Sequence, residues 1–415
     1  MREMKPTDID WIPEMPVTWN EVPNRVLMWK KKVINPIYDG EDILSLTMDG
    51  VIVRDLDAGG KMPTSFDGYQ KIEAGNLLMC LFDYDVTPRC IGLIEQNGVT
   101  SPAYSQYVMS DLAYAKYYYY YYLMVDNTKE LLHLAKNMRH SFSEEDFGRI
   151  KAPIPPMEEQ HRISTCLDAK CSEIDALTAD IQSQIEMLEQ YERSVITEAV
   201  TKGLNKNVEM KESGMQWVGK MPAHWDCIRG KYILKYMQKP IRENDGVITC
   251  FRDGEVTLRS NRREDGFTMS DKEIGYQGID VGDLVVHGMD GFAGSIGISD
   301  SRGKASPVLN VLDTDQNKKY IMYYLRSMAY GDVFMALATG IRVRSCDLRW
   351  NKLAELMYPV PPVTEQKQIV EYIDNILEKT NALIDEKKDQ LSTLDAYKKS
   401  LIYEYVTGKK EVPDV

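Results

Sequence analysis

No run of 18 apolar residues occurs anywhere in the 415-residue chain, so no membrane-spanning helix is expected. The opening segment, MREMKPTDIDWIPEMP, is polar and broken by proline, and it lacks the apolar core of a signal peptide, which points to the cytoplasm. Histidine is scarce, at five residues, and none stands in H-E-x-x-H spacing. Cysteine is sparse, odd in number at seven, and without a C-x-x-C pair. A metal site or a disulfide framework is therefore not expected. There is no G-x-x-x-x-G-K-[ST] phosphate loop, since Gly408-Lys409-Lys410 lacks the upstream glycine, and no G-x-S-x-G nucleophile turn. Asn35-Pro-Ile-Tyr38 lacks the second proline of the N-P-P-Y motif of amino-methyltransferases and reads as a turn. Gly291-Phe-Ala-Gly294-Ser-Ile-Gly297 is not G-x-G-x-x-G and reads as a close backbone approach or a hairpin turn. With no catalytic constellation, the chain reads as a binding protein.

A positive charge balance is missing as well. The formal net charge is −13, which argues against nucleic-acid binding by bulk electrostatics. By segment the balance is −7 for 1–150, −5 for 151–212, +2 for 213–358 and −3 for 359–415, so one segment is slightly basic. What remains is an ordinary folded composition, 43% hydrophobic and 27% charged, in a chain long enough for two to four domains at roughly 100–200 residues each.

The chain repeats itself. Trp11-Ile-Pro-Glu-Met-Pro-Val-Thr-Trp19 returns 206 residues later as Trp217-Val-Gly-Lys-Met-Pro-Ala-His-Trp225, and Pro155-Pro156-Met-Glu-Glu-Gln160 returns as Pro361-Pro362-Val-Thr-Glu-Gln366. Between these anchors the match drifts, as if one frame carried two different inserts. In each half a stretch of about 150 residues reads as mixed strands and short helices. Ile43 to Val53 alternates, and Gly75 to Phe82 and Gly282 to His287 read as equivalent buried strands. The run Tyr117 to Tyr122 could stack on bases, but its counterpart Tyr320 to Leu325 reads as a domain helix. The run is therefore expected to pack, with hydroxyls reaching the surface.

A proline cluster then announces a long helix, with acidic residues at its positive end. In the first helix Leu167, Ile174, Ile181 and Leu188 recur every seven residues, with Leu177 and Tyr191 as a second stripe. In the second, Ile373, Leu394 and Leu401 hold the equivalent places, with Leu383 and Tyr397 beside them; Thr380 and Lys387 interrupt, offset by Ile384 and Leu391 on a neighbouring stripe. This is heptad spacing, and two matched helices of some 40 residues, roughly 60 Å each, are expected to pack on each other as a coiled coil.

Cations gather in glycine-flanked loops: Arg252, Arg259, Arg262 and Arg263 in one stretch, then Arg342, Arg344 and Arg349 after Gly340. The first half offers Arg54, Lys61, Arg89, Arg139 and His140. Guanidinium groups suit bidentate contacts to guanine or phosphate, which makes these the candidate DNA-binding residues.

The tandem layout, the W-x-x-x-M-P-x-x-W opening of each half and the P-I/V-P-P…E-Q helix entries (Pro153 to Gln160, Pro359 to Gln366) resemble the specificity subunit of type I restriction-modification systems over essentially the whole chain. The resemblance implies an α+β protein. Two mixed target-recognition domains, 1–152 and 207–358, would be followed by long-helix regions 153–206 and 359–415, packed as an antiparallel coiled coil. It implies recognition of a bipartite double-stranded DNA target, two methyltransferase subunits held on the helices, and restriction/translocase subunits beyond them. It implies no catalysis in this chain, with S-adenosylmethionine, ATP and magnesium bound by the partners. Two other readings stay open: a coiled-coil adaptor that binds only protein, and an adenine methyltransferase with its own target domains, against which the missing adenosylmethionine loop speaks.

Overall fold

A computed structural model describes residues 2–57, 63–135, 139–262, 274–336 and 348–412. The chain divides into two compact units, Met1–Ile181 with Lys388–Val415, and Gln182–Lys387. The division passes through the middle of the two long helices, Met157–Lys202 and Val363–Val406. The physical reason is that each half of a long helix is covered by a different core. Leu401, Ile402, Tyr405 and Val406 pack with Trp19 and Tyr117 in the first unit, whereas Ile196, Ala199 and Val200 pack with Trp225 and Tyr320 in the second.

The first unit is built on a four-stranded antiparallel sheet in the order Ile91–Leu93, Leu77–Met79, Ser105–Met109, Met28–Lys31. The second repeats that order as Ile296–Ile298, Leu284–His287, Leu309–Thr314, Leu234–Met237. Leu77–Met79 is buried at all three positions, as its unbroken apolar run requires. One helix per unit covers the sheet: Ala115–Asn127 in the first and Lys318–Tyr330 in the second. A short hairpin stands beside each sheet, Leu44–Thr47 with Gly50–Val53 and Ile248–Cys250 with Val256–Leu258.

The long helices pack along a seam of alternating four- and three-residue steps. On the first it runs through Leu167, Cys171, Ile174, Thr178, Ile181, Ile185, Leu188 and Glu192, and on the second through Ile373, Leu377, Thr380, Ile384, Lys387, Leu391, Leu394, Lys398 and Leu401; each is buried or half-buried. Their direction is antiparallel, because partners descend on one helix as they ascend on the other. Asp175 pairs with Lys398 at 2.5 Å within the first unit; Gln184 accepts from Lys387, and Glu192 from Thr380, within the second. Leu177, Tyr191, Leu383 and Tyr397 are not part of the seam. They are 49%, 48%, 46% and 52% exposed. Each stands one residue ahead of a seam position, and the second row is filled by Thr178, Glu192, Ile384 and Lys398 instead.

Candidate functional site

The repeated motifs form the frame. Gln160 is fully buried at the start of the first long helix. Its carbonyl accepts from the Tyr114 amide at 2.8 Å, and its amide donates to the carbonyls of Leu112 and Pro155. Gln366 repeats this, accepting from the Asn317 amide at 2.9 Å and donating to Pro361. Three tyrosines of the domain helix complete each grip. Tyr117 donates to the Val406 carbonyl, Tyr120 to Asp168, and Tyr121 accepts from the Trp11 indole. In the second unit Tyr320 donates to the Val200 carbonyl, Tyr323 to Asp374, and Tyr324 accepts from Trp217. Five tyrosines of the run are buried and Tyr119 is half-buried, so the run packs but its hydroxyls are largely turned to protein partners and not to the surface. The six grip phenols bond backbone carbonyls, the part-buried carboxylates of Asp168 and Asp374, or an indole N–H, and burial holds all six above their ordinary pKa.

On this common frame the two hairpins differ. In the first unit the turn is Met48-Asp49, with Met48 exposed. In the second it is Phe251-Arg-Asp-Gly-Glu255, followed by Arg259 and Arg262. The glycine run 291–297 seats this second hairpin. A Cβ on Gly297 would lie 1.9 Å from the Gly254 carbonyl oxygen, so only glycine permits the approach, and Gly294 turns at φ +97°.

The arginines of this hairpin are interleaved with carboxylates. Arg252 pairs with Asp290 at 3.2 Å. Arg262 pairs with Asp253 at 2.6 Å and Glu255 at 2.8 Å, and its guanidinium lies 4.2 Å from the Phe251 ring centroid. Arg259 donates to the Thr249 hydroxyl. Arg326, which charge counting passed over, donates from the helix to the Asp253 carbonyl and holds the turn. In the first unit Arg89 is mostly covered, 4.0 Å from the buried carboxylate of Asp126. Arg139 is exposed, and His140 sits beside Asp85 with a left-handed backbone at φ 42°. Arg54 is half-buried at the end of its hairpin, its amide bonded to the Ile43 carbonyl. Lys61, Arg263, Arg342 and Arg344 lie outside the described residues.

The exposed apolar side chains of the long helices form a second feature that heptad counting misplaced. Leu177 and Tyr397 stand at neighbouring levels in the first unit, flanking Thr178 and Lys398. Tyr191 and Leu383 do the same in the second, near the Glu192–Thr380 contact. The two Leu–Tyr pairs are copies of each other under the 206-residue repeat.

Among the described residues no cluster of His, Cys, Asp and Glu could hold a metal ion. No described helix is long and apolar enough to cross a membrane. Burial pushes the thiols of Cys171 and Cys250 up to about 11 and about 12, away from thiolate chemistry.

Comparison with known proteins agrees with this organisation. Residues 99–187 match the Type I restriction modification DNA specificity domain. The Type I restriction enzyme MjaVIII specificity subunit of Methanocaldococcus jannaschii is 24% identical over 286 residues, 65% of this chain and 64% of that protein. The putative type I restriction enzyme MjaX specificity subunit of the same organism is 25% identical over 293 residues, 66% of this chain and 62% of that protein. The matches thus span just under two thirds of those relatives. A solved chain from work on complex assembly and conformational transition of the type I R-M system shares the fold, with a TM-score of 0.67, 14% identity, and coverage of 95% of this chain and 99% of that one.

Proposed function

The chain belongs to the specificity subunits of type I restriction-modification systems, and on that premise we propose that it reads a bipartite double-stranded DNA target for a methyltransferase/endonuclease complex. The observation that carries this reading is the pairing of one frame with two different surfaces. Both units share sheet order and tyrosine grips, yet one presents Met48-Asp49 where the other presents Phe251 to Glu255. A frame that holds fixed geometry while its loops vary suits two half-sites of unrelated sequence.

The duplicated Leu–Tyr pairs fit two copies of one partner, the methyltransferase subunits, each docking a helical apolar face. Restriction/translocase subunits join through that assembly. Catalysis belongs to the partners in this reading, with S-adenosylmethionine, ATP and magnesium bound there, and the complex works in the cytoplasm. An acidic chain of net charge −13 needs such partners to supply the cationic surface for the phosphate backbone.

The test is methylation-sensitive sequencing of DNA modified by the methyltransferase subunits with and without this chain. A two-part motif that appears only with the chain is expected. Copurification with no chain-dependent motif would favour a protein-only adaptor, and methylation by the chain alone would favour a self-sufficient methyltransferase.

A further inference from the structure

Arg262 is engaged by two carboxylates through one side of its guanidinium. One nitrogen, Nη1, donates to Asp253 Oδ2 at 2.6 Å and lies 2.8 Å from Glu255 Oε2 in a second ion pair. Its Cζ lies over the Phe251 ring, 4.2 Å from the centroid. A guanidinium has five N–H donors in a fixed fork. Both carboxylates pair with Nη1, no contact to the described residues takes Nε–H or Nη2, and these two form a bidentate edge. One positive and two negative charges sum to −1 at this point, so a phosphate oxygen gains little by approaching. A neutral base edge suffers no such penalty and needs only the two parallel donors. Guanine, with O6 and N7 side by side in the major groove, is the edge that matches.

From this geometry we infer that Arg262 is a base-reading residue for a guanine in one half of the target, and that Asp253 and Glu255 are its positioning residues, which also turn it away from phosphate. The inference rests on the chain being a DNA-recognition subunit. It concerns the half-site read by the second unit: the first hairpin also ends on an arginine, Arg54, but its turn, Met48-Asp49, has no counterpart of Phe251 and Glu255.

The experiment uses the chain assembled with its methyltransferase subunits and a plasmid library of random sequence, read by methylation-sensitive sequencing. Arg262→Lys can keep a carboxylate partner but has no fork, so it tests the reading with the hairpin intact; Arg262→Ala removes both. Each variant should lose preference for guanine at one position of one half-site by tenfold or more, with every other position unchanged. Asp253→Asn with Glu255→Gln frees a full positive charge. That double variant should bind unrelated duplex more tightly and steepen the dependence of log K on log salt by about one. A uniform loss of methylation with an unaltered motif would mean a phosphate contact and overturn the inference, and an unaltered motif and rate would mean a surface ion pair. If the wild-type chain directs no motif at all, the functional reading itself falls, and this inference falls with it.

Discussion

Tyr117 donates its hydroxyl to the carbonyl oxygen of Val406 at 2.8 Å, joining residues 289 apart in the chain at a fully buried point. The phenol is satisfied, and so is a carbonyl in the last turn of a helix, where intrahelical donors run out.

Tyr117→Phe should therefore leave that acceptor bare and cost about 1–3 kcal/mol. Tyr320→Phe exposes two acceptors to the same fate, since its hydroxyl reaches both Val200 and Pro359 carbonyls, and should cost at least as much. Thermal or urea unfolding of the two variants measures this. A change within error at both would mean that water takes over the bonds.

A charge in the helix seam and a charge beside it should part company. Ile174→Asp buries a carboxylate among Leu167, Cys171 and Leu401 and should cost several kcal/mol, read as lost helicity and early melting. Leu177→Asp, three residues on at an exposed site, should melt within about 0.5 kcal/mol of wild type. In a pull-down with methyltransferase subunits the second variant, joined with Leu383→Asp, should still fail. Full capture by that folded double variant would remove the Leu–Tyr pairs from the partner face.

How far these features could be read in advance depended on the chemistry of each position. The seven-residue row Leu167, Ile174, Ile181 and Leu188 was legible because apolar side chains occupy it without a break. Its companion row was not, because the seam spends places there on Cys171, Thr178, Glu192 and Lys398. Apolar counting chose Leu177 and Tyr191, which point outward. Burial raises the Glu192 carboxyl above its ordinary value, and the hydrogen bond from the Thr380 hydroxyl offsets part of that rise, which helps a polar group hold a seam position. The basic hairpin was legible as a density of arginine. Its near-neutrality was not, since Asp253, Glu255 and Asp290 reach those arginines only after the turn has formed.

Gly297→Ala probes what seats the hairpin. The added methyl meets a backbone oxygen, which cannot rotate away, so the turn must shift. The expected cost is about 1–3 kcal/mol. Methylated-site sequencing should show a degraded second half of the motif and an intact first half. An unaltered motif would separate the hairpin from base reading.

Acid should find a weak point in the second unit. Hydrogen bonds from Lys239 and from Arg302 hold Asp280 down at about 2. Because the folded value lies below the ordinary carboxylate value of about 3.9, its contribution is fully present above that value and disappears as the pH falls through about 2. The stability difference between wild type and Asp280→Asn, from urea midpoints, should accordingly shrink between pH 5 and pH 2. A constant gap over that range would contradict the ion-pair assignment.

The discontinuity of the first unit also sets an order of events during synthesis. Its core lacks Leu401, Ile402, Tyr405 and Val406 until some two hundred further residues have been made after Ile181. At about 5–20 residues per second that delay lasts about 10–40 s. The second unit is a single uninterrupted stretch and can close as it emerges. The half translated first is thus the half finished last, and for tens of seconds Trp19 and Tyr117 present an open apolar seat that other nascent chains or a chaperone can occupy.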